Sequence, residues 1–171
     1  MYGASGSLSD LERAFELESI DREPYIDKVI TDYDERWGYD TWTVKFLVKF
    51  GRIDEAERII RNVNYRSKVD WKGYEFSNIT ILSNMLSNKG RYDTAAKVCR
   101  NVIDSVLGAN DSKNYERTAD LLRMMGRDEN YERATVPHSQ YLKELRENTP
   151  RKTKFWGIYD GTYVKKSRTY R

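Results

Sequence analysis

The chain has 171 residues, of which 33% are charged and 13% aromatic, and its mean hydropathy is −0.83. No apolar run approaches the roughly 18 residues that span a bilayer, and so many aromatic residues argue against a disordered chain. One cysteine, Cys99, excludes an internal disulfide and a cysteine-rich zinc module. We therefore expect a soluble, cytoplasmic, helical protein.

The first 40 residues predict two helices. Ser9 and Glu12 have the spacing of a capping box ahead of an apolar pattern, which predicts a short first helix. Pro24 suits the first turn of a second helix, in which Ile26 and Val29 share one face.

A repeated pattern follows, with GRIDEAERIIRNV at residues 51–63 and GRYDTAAKVCRNV at residues 90–102. Each copy begins with a glycine, which can end a helix at positive φ. Asp54 and Asp93 stand three residues later, where they can cap the next helix. The pattern predicts helix, glycine turn and helix, repeated with an offset of 39 residues.

A weaker third copy predicts a helix in NYERTADLLRMM, a further turn at Gly126 and a last helix that begins after Pro137. Helical hairpins of this kind stack on their neighbours and bury a shared apolar core. The sequence therefore predicts an all-α fold, a short α-solenoid of antiparallel helical hairpins over residues 1–150.

Residues 151–171 form a basic aromatic tail that differs in character from the rest. The dipeptide Asp160-Gly161 suits a two-residue β-turn, and aromatic residues flank it on both sides. This predicts a small C-terminal β-hairpin, and the alternative is a flexible tail, because an isolated hairpin is only marginally stable.

Two family resemblances follow from these motifs. GRIDEA and GRYDTA resemble the turn and second helix of tetratricopeptide repeats, which implies a helical-repeat fold. Over about residues 75–156 the chain resembles the helical region that follows SWIM-type zinc fingers in some prokaryotic proteins, on Ser112-Lys113, Tyr115, Ala119, Leu122, His138, Tyr141-Leu142, Leu145-Arg146, Arg151-Lys152 and Phe155-Trp156. No reaction is established for that region, and the finger's zinc ligands are missing here, so the resemblance implies no metal site.

The charge is unevenly distributed along the chain. Residues 1–40 contain eleven acidic and four basic residues, whereas residues 149–171 contain seven basic residues and one acidic residue. Oppositely charged ends attract each other, within one molecule or between two. A homodimer is therefore one expected assembly.

Catalytic chemistry has little support in the sequence. The single histidine, His138, has no evident partner and is expected to cap a helix or lie at the surface. Cys99 lies on an apolar stripe, which favours a buried, unreactive thiol. Phosphate-loop, dinucleotide and metal-binding motifs are absent, so we expect no enzyme activity, no cofactor and no bound metal.

Two segments combine aromatic and basic side chains, the loop at residues 64–76 and the tail. Such mixtures suit protein hot spots and also single-stranded nucleic acid. We expect a protein-interaction or scaffold module, with nucleic-acid binding as the alternative and no role at a membrane. The candidate binding residues are Tyr65, Arg66, Lys68, Trp71, Lys72, Arg151, Lys152, Lys154, Trp156, Tyr159, Tyr163, Lys165, Lys166 and Arg168. The alternative for Trp156 is that it covers an end of the solenoid.

Overall fold

The computed structural model describes residues 13, 15–16, 21–32, 41–62 and 73–164. All regular secondary structure in these ranges is helical, which confirms the all-α prediction. The chain divides into two compact units, residues 1–63 and residues 64–171. The domain boundary at residue 150 and the solenoid arrangement stay predictions.

The first unit contains three described helices, α1 (Glu23–Asp32), α2 (Thr41–Lys49) and α3 (Ile53–Asn62). The α1 helix begins one residue before Pro24, close to where the sequence predicts it. The capping-box residues of the predicted first helix lie outside the described ranges. Helices α2 and α3 pack against each other and bury the side chains of Val44, Phe46, Leu47, Val48, Ala56, Ile59 and Ile60.

The second unit contains α4 (Gly73–Asn88), α5 (Tyr92–Gly108), α6 (Tyr115–Arg127), a 3₁₀ helix (Glu129–Arg133), α7 (His138–Asn148) and α8 (Thr153–Tyr159). The α5 helix lies against α4, α6 and the 3₁₀ helix, while α6 also contacts α7 and α8. Four residues of the predicted apolar stripe of α5, Ala95, Cys99, Val102 and Val106, are buried, whereas Tyr92 at its start is half-buried.

Gly51 and Gly90 end α2 and α4 in the same way. Their φ angles are +83° and +73°, and the residue after each donates its N–H to a carbonyl five residues back. Arg52 N lies 2.8 Å from Leu47 O, and Arg91 N lies 3.0 Å from Leu86 O. This is the Schellman arrangement, and it confirms the two predicted glycine turns.

The same hydrogen bonds also recur at two places where the sequence does not predict them. Asn110 ends α5 at a φ of +56°, and Gly161 ends α8 at a φ of +75°. Thr162 N donates to Gly157 O at 2.8 Å, five residues back. The predicted β-hairpin is therefore wrong for residues 153–161, because Gly161 uses its positive φ to end a helix and not to turn between strands.

The predicted turn at Gly126 is also wrong. Gly126 lies inside α6, which continues to Arg127, and its φ is not positive. A Cβ atom at this position would lie 3.2 Å from Nε2 of His138. The residue is small because α7 brings the His138 ring against it, not because the chain turns there.

The two aspartates of the repeat are not N-caps. Helices α3 and α5 begin at Ile53 and Tyr92, which places Asp54 and Asp93 in the first helical turn. The Asp93 carboxylate instead accepts hydrogen bonds from Thr135, at 2.6 Å from its N–H and 2.9 Å from its hydroxyl. A negative charge in the first turn is still favourable to the helix dipole.

Replacing Gly90 with valine is expected to destabilise the protein by about 1–3 kcal/mol, because a β-branched residue strongly disfavours positive φ. There is open space around the position of the Cβ atom, so the cost comes from the backbone alone. The exposed neighbouring substitution Lys89→Ala is the control and should change stability by less than about 0.5 kcal/mol. Chemical denaturation measures both, and equal midpoints would contradict the turn.

Candidate functional site

An exposed apolar pair follows the end of α8. Tyr163 and Val164 keep 41% and 81% of their surface exposed, and among the side chains whose burial the structure describes, the other exposed large apolar one is Ile81 at 47%. The Lys154 ammonium lies 5.8 Å from the centroid of the Tyr163 ring. Lys154, Tyr163 and Val164 are called the α8 patch below.

The backbone beneath the α8 patch is held in place. Tyr163 N donates to Gly157 O at 2.9 Å. A Cβ atom at Gly157 would lie 3.3 Å from Cβ of Tyr163, so the absence of a side chain at Gly157 permits this close approach. The backbone of Tyr163 is therefore held in a defined position at the end of α8.

Two aromatic side chains anchor α8 to the core of the second unit. Phe155 is fully buried and makes an edge-to-face contact with Tyr115, at 5.6 Å between ring centroids. Trp156 is 7% exposed, and its Nε1 donates to Thr149 O at 3.0 Å. Trp156 therefore has little surface to offer a partner. That it covers an end of a solenoid stays a prediction.

Two arginines fix the C-terminal end of α8. Arg146 donates two hydrogen bonds to the Asp160 carboxylate, at 2.7 and 3.2 Å, and its guanidinium lies 4.3 Å from the Trp156 ring centroid. The bond to Asp160 raises the pKa of Arg146. Arg123 donates to the carbonyl oxygens of Ile158 and Tyr159. Ile158 O also accepts from Gly161 N at 3.2 Å, and both carbonyls lie at the negative end of the helix, where a cation is stabilising.

A groove of about 440 Å³ lies beside α5 and α7. Leu107 and Leu145 contribute apolar surface to it, while Asp104 and Glu144 bring carboxylates from the two helices. This is called the α5/α7 groove below. Tyr141 also lines it and donates its hydroxyl to Asp104 Oδ1 at 2.8 Å.

The surroundings of Asp104 set its electrostatics. Burial raises the pKa of Asp104, and the hydrogen bond from Tyr141 and the charge of Arg100 act in the opposite direction. The Arg100 guanidinium stands 4.7 Å from the Tyr141 ring centroid and donates to Val136 O at 2.7 Å. Asp104 is thus a partly desolvated carboxylate with one defined donor.

The buried polar groups near α5 do not form a reactive set. The Ser83 and Tyr131 hydroxyls are 2.6 Å apart, and Ser83 donates to Ala95 O at 2.8 Å. Cys99 is fully buried, and desolvation raises its pKa to about 11. A thiol in this state is a poor nucleophile at neutral pH.

His138 differs from the prediction of a cap or surface role. It is the first residue of α7, but it is only 3% exposed, and the structure gives neither ring nitrogen a hydrogen-bond partner. Burial is the main cause that lowers its pKa. The periodicity of a single helix could not show this, because Gly126 on α6 provides the space for the ring.

The structure brings together only part of the predicted binding set. Arg151 and Lys154 are exposed, Tyr159 is half-buried beneath Arg146, and the Lys152 ammonium donates to the Asn110 side chain. The predicted residues that lie outside the described ranges are Tyr65, Arg66, Lys68, Trp71, Lys72, Lys165, Lys166 and Arg168. The sequence does not single out Val164 or the groove residues Asp104 and Glu144.

Within the described ranges, no three His, Cys, Asp or Glu side chains are grouped so that they could hold a metal ion. None of the helices described is long and apolar enough to cross a membrane.

These features define a helical protein whose second unit presents the exposed α8 patch and the α5/α7 groove, which is lined by both apolar and charged side chains. The chain belongs to a family of unknown function, DUF6880, whose family model matches residues 27–158. The match extends from α1 into α8. No curated protein and no solved structure shows significant similarity to the chain.

Proposed function

We propose that this chain is a non-enzymatic protein-interaction module of the cytoplasm, built on tetratricopeptide-like helical repeats that stack as a short α-solenoid. The observation that carries the proposal is the α8 patch, where the consecutive residues Tyr163 and Val164 are both exposed just after the turn that ends α8. Exposed apolar side chains that adjoin each other are typical of protein-binding surfaces.

The chemistry of the patch favours a protein partner. Tyr163 offers a large ring with few rotatable bonds, which loses little entropy on binding, and Lys154 beside it adds one positive charge. The anchored helix α8 holds the backbone of Tyr163 in one position, which lowers the cost of association.

The repeats supply the second line of support. The same Schellman turn ends α2 at Gly51 and α4 at Gly90, and a helix follows each turn directly. Repeated hairpins of this kind form extended surfaces rather than enclosed pockets. A relationship between residues 75–156 and the helical region that follows SWIM-type zinc fingers remains part of this proposal.

Affinity capture with matched variants tests the proposal. The wild-type chain, the double variant Tyr163→Ala/Val164→Ser and the control Ile81→Ala are immobilised, and bound proteins from a lysate of the source organism are quantified by mass spectrometry. Ile81 is the matched control because it is an exposed apolar side chain on α4, with an exposure of 47% close to the 41% of Tyr163, and it lies away from α8 in the sequence. We expect at least one protein to be lost about ten-fold with the double variant and kept with Ile81→Ala.

Capture that is identical for all three proteins would contradict a role for the α8 patch. If the protein that is lost is a second copy of this chain, light scattering at matched concentrations will show a homodimer for the wild type and a monomer for the double variant.

Nucleic-acid binding is the second candidate, because Arg151 and Lys154 are exposed near the basic end of the chain. Binding to phosphates weakens steeply as salt increases. Fluorescence anisotropy with labelled single- and double-stranded oligonucleotides at 50 and 200 mM salt measures this. Salt-sensitive oligonucleotide binding, together with capture that nuclease treatment abolishes, would favour the second candidate over the first.

A further inference from the structure

We propose that the α5/α7 groove binds the guanidinium side chain of an arginine supplied by a partner polypeptide. This inference deepens the proposed interaction function and rests on it for the source of the arginine. None of the three residues of the α8 patch lines the groove, so the two surfaces can be tested separately.

The shape of the groove suits a long side chain with an apolar stem. Leu107 and Leu145 line it, and each is held in the core with only 2% and 7% of its surface exposed, so the apolar part of the groove is small but rigid. Gly108 contributes no side chain and leaves room beside them. The methylene groups of an arginine can pack on such a surface while the charged end reaches the polar part of the groove.

The charge of the groove selects a cation. Asp104 on α5 and Glu144 on α7 both line it. Tyr141 fixes Asp104 through its hydroxyl at 2.8 Å, and Gln140 Nε2 donates to Glu144 Oε1 at 2.8 Å. Each carboxylate is therefore oriented before a ligand arrives, which reduces the cost of binding.

The positive charges nearby do not neutralise both carboxylates. Lys152 also lines the groove, so its two carboxylates face one positive charge. The Lys152 ammonium donates to the Asn110 side chain, and the structure gives it no ion pair with either carboxylate. Arg100 lies over the Tyr141 ring and donates to Val136 O. A guanidinium offers five N–H donors in a planar fork, so one group can reach carboxylates on two different helices.

A titration with blocked tripeptides tests the inference. The probe is N-acetyl-Gly-Arg-Gly-amide, and the control is the same peptide with citrulline, which keeps the shape of arginine but has no charge. Binding to the full chain is followed in ¹⁵N–¹H correlation spectra. We expect saturable shifts of the Leu107, Gly108 and Leu145 amides with the arginine peptide, and about ten-fold weaker binding of the citrulline peptide.

Variants that keep the shape of the groove complete the test. Asp104→Asn retains an acceptor for the Tyr141 hydroxyl, and Glu144→Gln retains the acceptor for Gln140, so both should fold. Each is expected to weaken arginine binding about ten-fold. The control is Glu147→Gln, which removes an exposed carboxylate from the same helix outside the groove and should leave binding unchanged.

Three results would overturn the inference: no saturable shift, equal binding of the citrulline peptide, or equal loss with Glu147→Gln. None of these affects capture through Tyr163 and Val164. Conversely, capture that does not depend on Tyr163 and Val164 would refute the proposed role of the α8 patch. The inference about the α5/α7 groove would still hold if the arginine peptide binds as expected.

Discussion

Replacing Phe155 with alanine is expected to lower the free energy of unfolding by about 3–5 kcal/mol. The ring is fully buried between Tyr115 and Trp156, with centroid distances of 5.6 and 4.9 Å, and its removal leaves a cavity at the contact of α8 with α6. Urea denaturation followed by far-ultraviolet circular dichroism measures the change.

The neighbouring substitution Lys154→Ala is the matched control for this experiment. Lys154 is exposed on the same helix, so its loss should change stability by no more than about 0.5 kcal/mol. If Phe155→Ala were as stable as Lys154→Ala, residues 151–164 would behave as the flexible tail that the sequence offers as an alternative, and the packing of α8 would be refuted.

The second unit is expected to lose stability as the pH falls below about 6.5, and His138 is the cause. Burial and Arg100 lower the pKa of His138, whereas Glu132 opposes them. The unfolded chain, with a histidine pKa near 6.5, then binds a proton more readily than the folded chain does. The stabilisation is therefore complete above pH 6.5 and is lost as the pH falls towards the lower folded pKa.

His138→Leu isolates this effect. Leucine takes up no proton, so lowering the pH from 7.5 to 5.5 should reduce the melting temperature of the wild type more than that of the variant. Each 1 kcal/mol corresponds to roughly 4–8 °C in a unit of this size. Asp104, whose pKa burial raises, is present in both proteins and cancels in the comparison. Parallel melting curves at the two pH values would contradict the assignment.

Local patterns predicted those parts of the fold that local physics controls. Gly51 and Gly90 end helices because a glycine accepts positive φ wherever the next residue can reach back five positions. The same reasoning failed at Gly126, where the glycine serves a contact with His138. It also misjudged Gly161, because a glycine after an aspartate is equally suited to a hairpin and to a helix end.

The candidate site was less predictable, because its contacts join residues far apart in the sequence. Arg123 caps α8 through carbonyls 35 and 36 residues away, and Tyr141 reaches Asp104 across 37 residues. No periodicity encodes such pairs. The sequence did identify Lys154 and Tyr163 as candidates from their residue types. For Trp156 it left binding and a covering role both open, since an aromatic side chain serves a core and a surface equally well.

Cys99 is a natural probe of how often the second unit opens. With its pKa near 11 and no exposed surface, the thiol should resist alkylating reagents and peroxide for as long as α5 stays in contact with its neighbours. The rate at which a thiol reagent labels the native protein then reports how often this helix is uncovered, with no introduced probe. In the cell, the same shielding would allow oxidation of Cys99 only in protein molecules in which α5 has already separated from its neighbours.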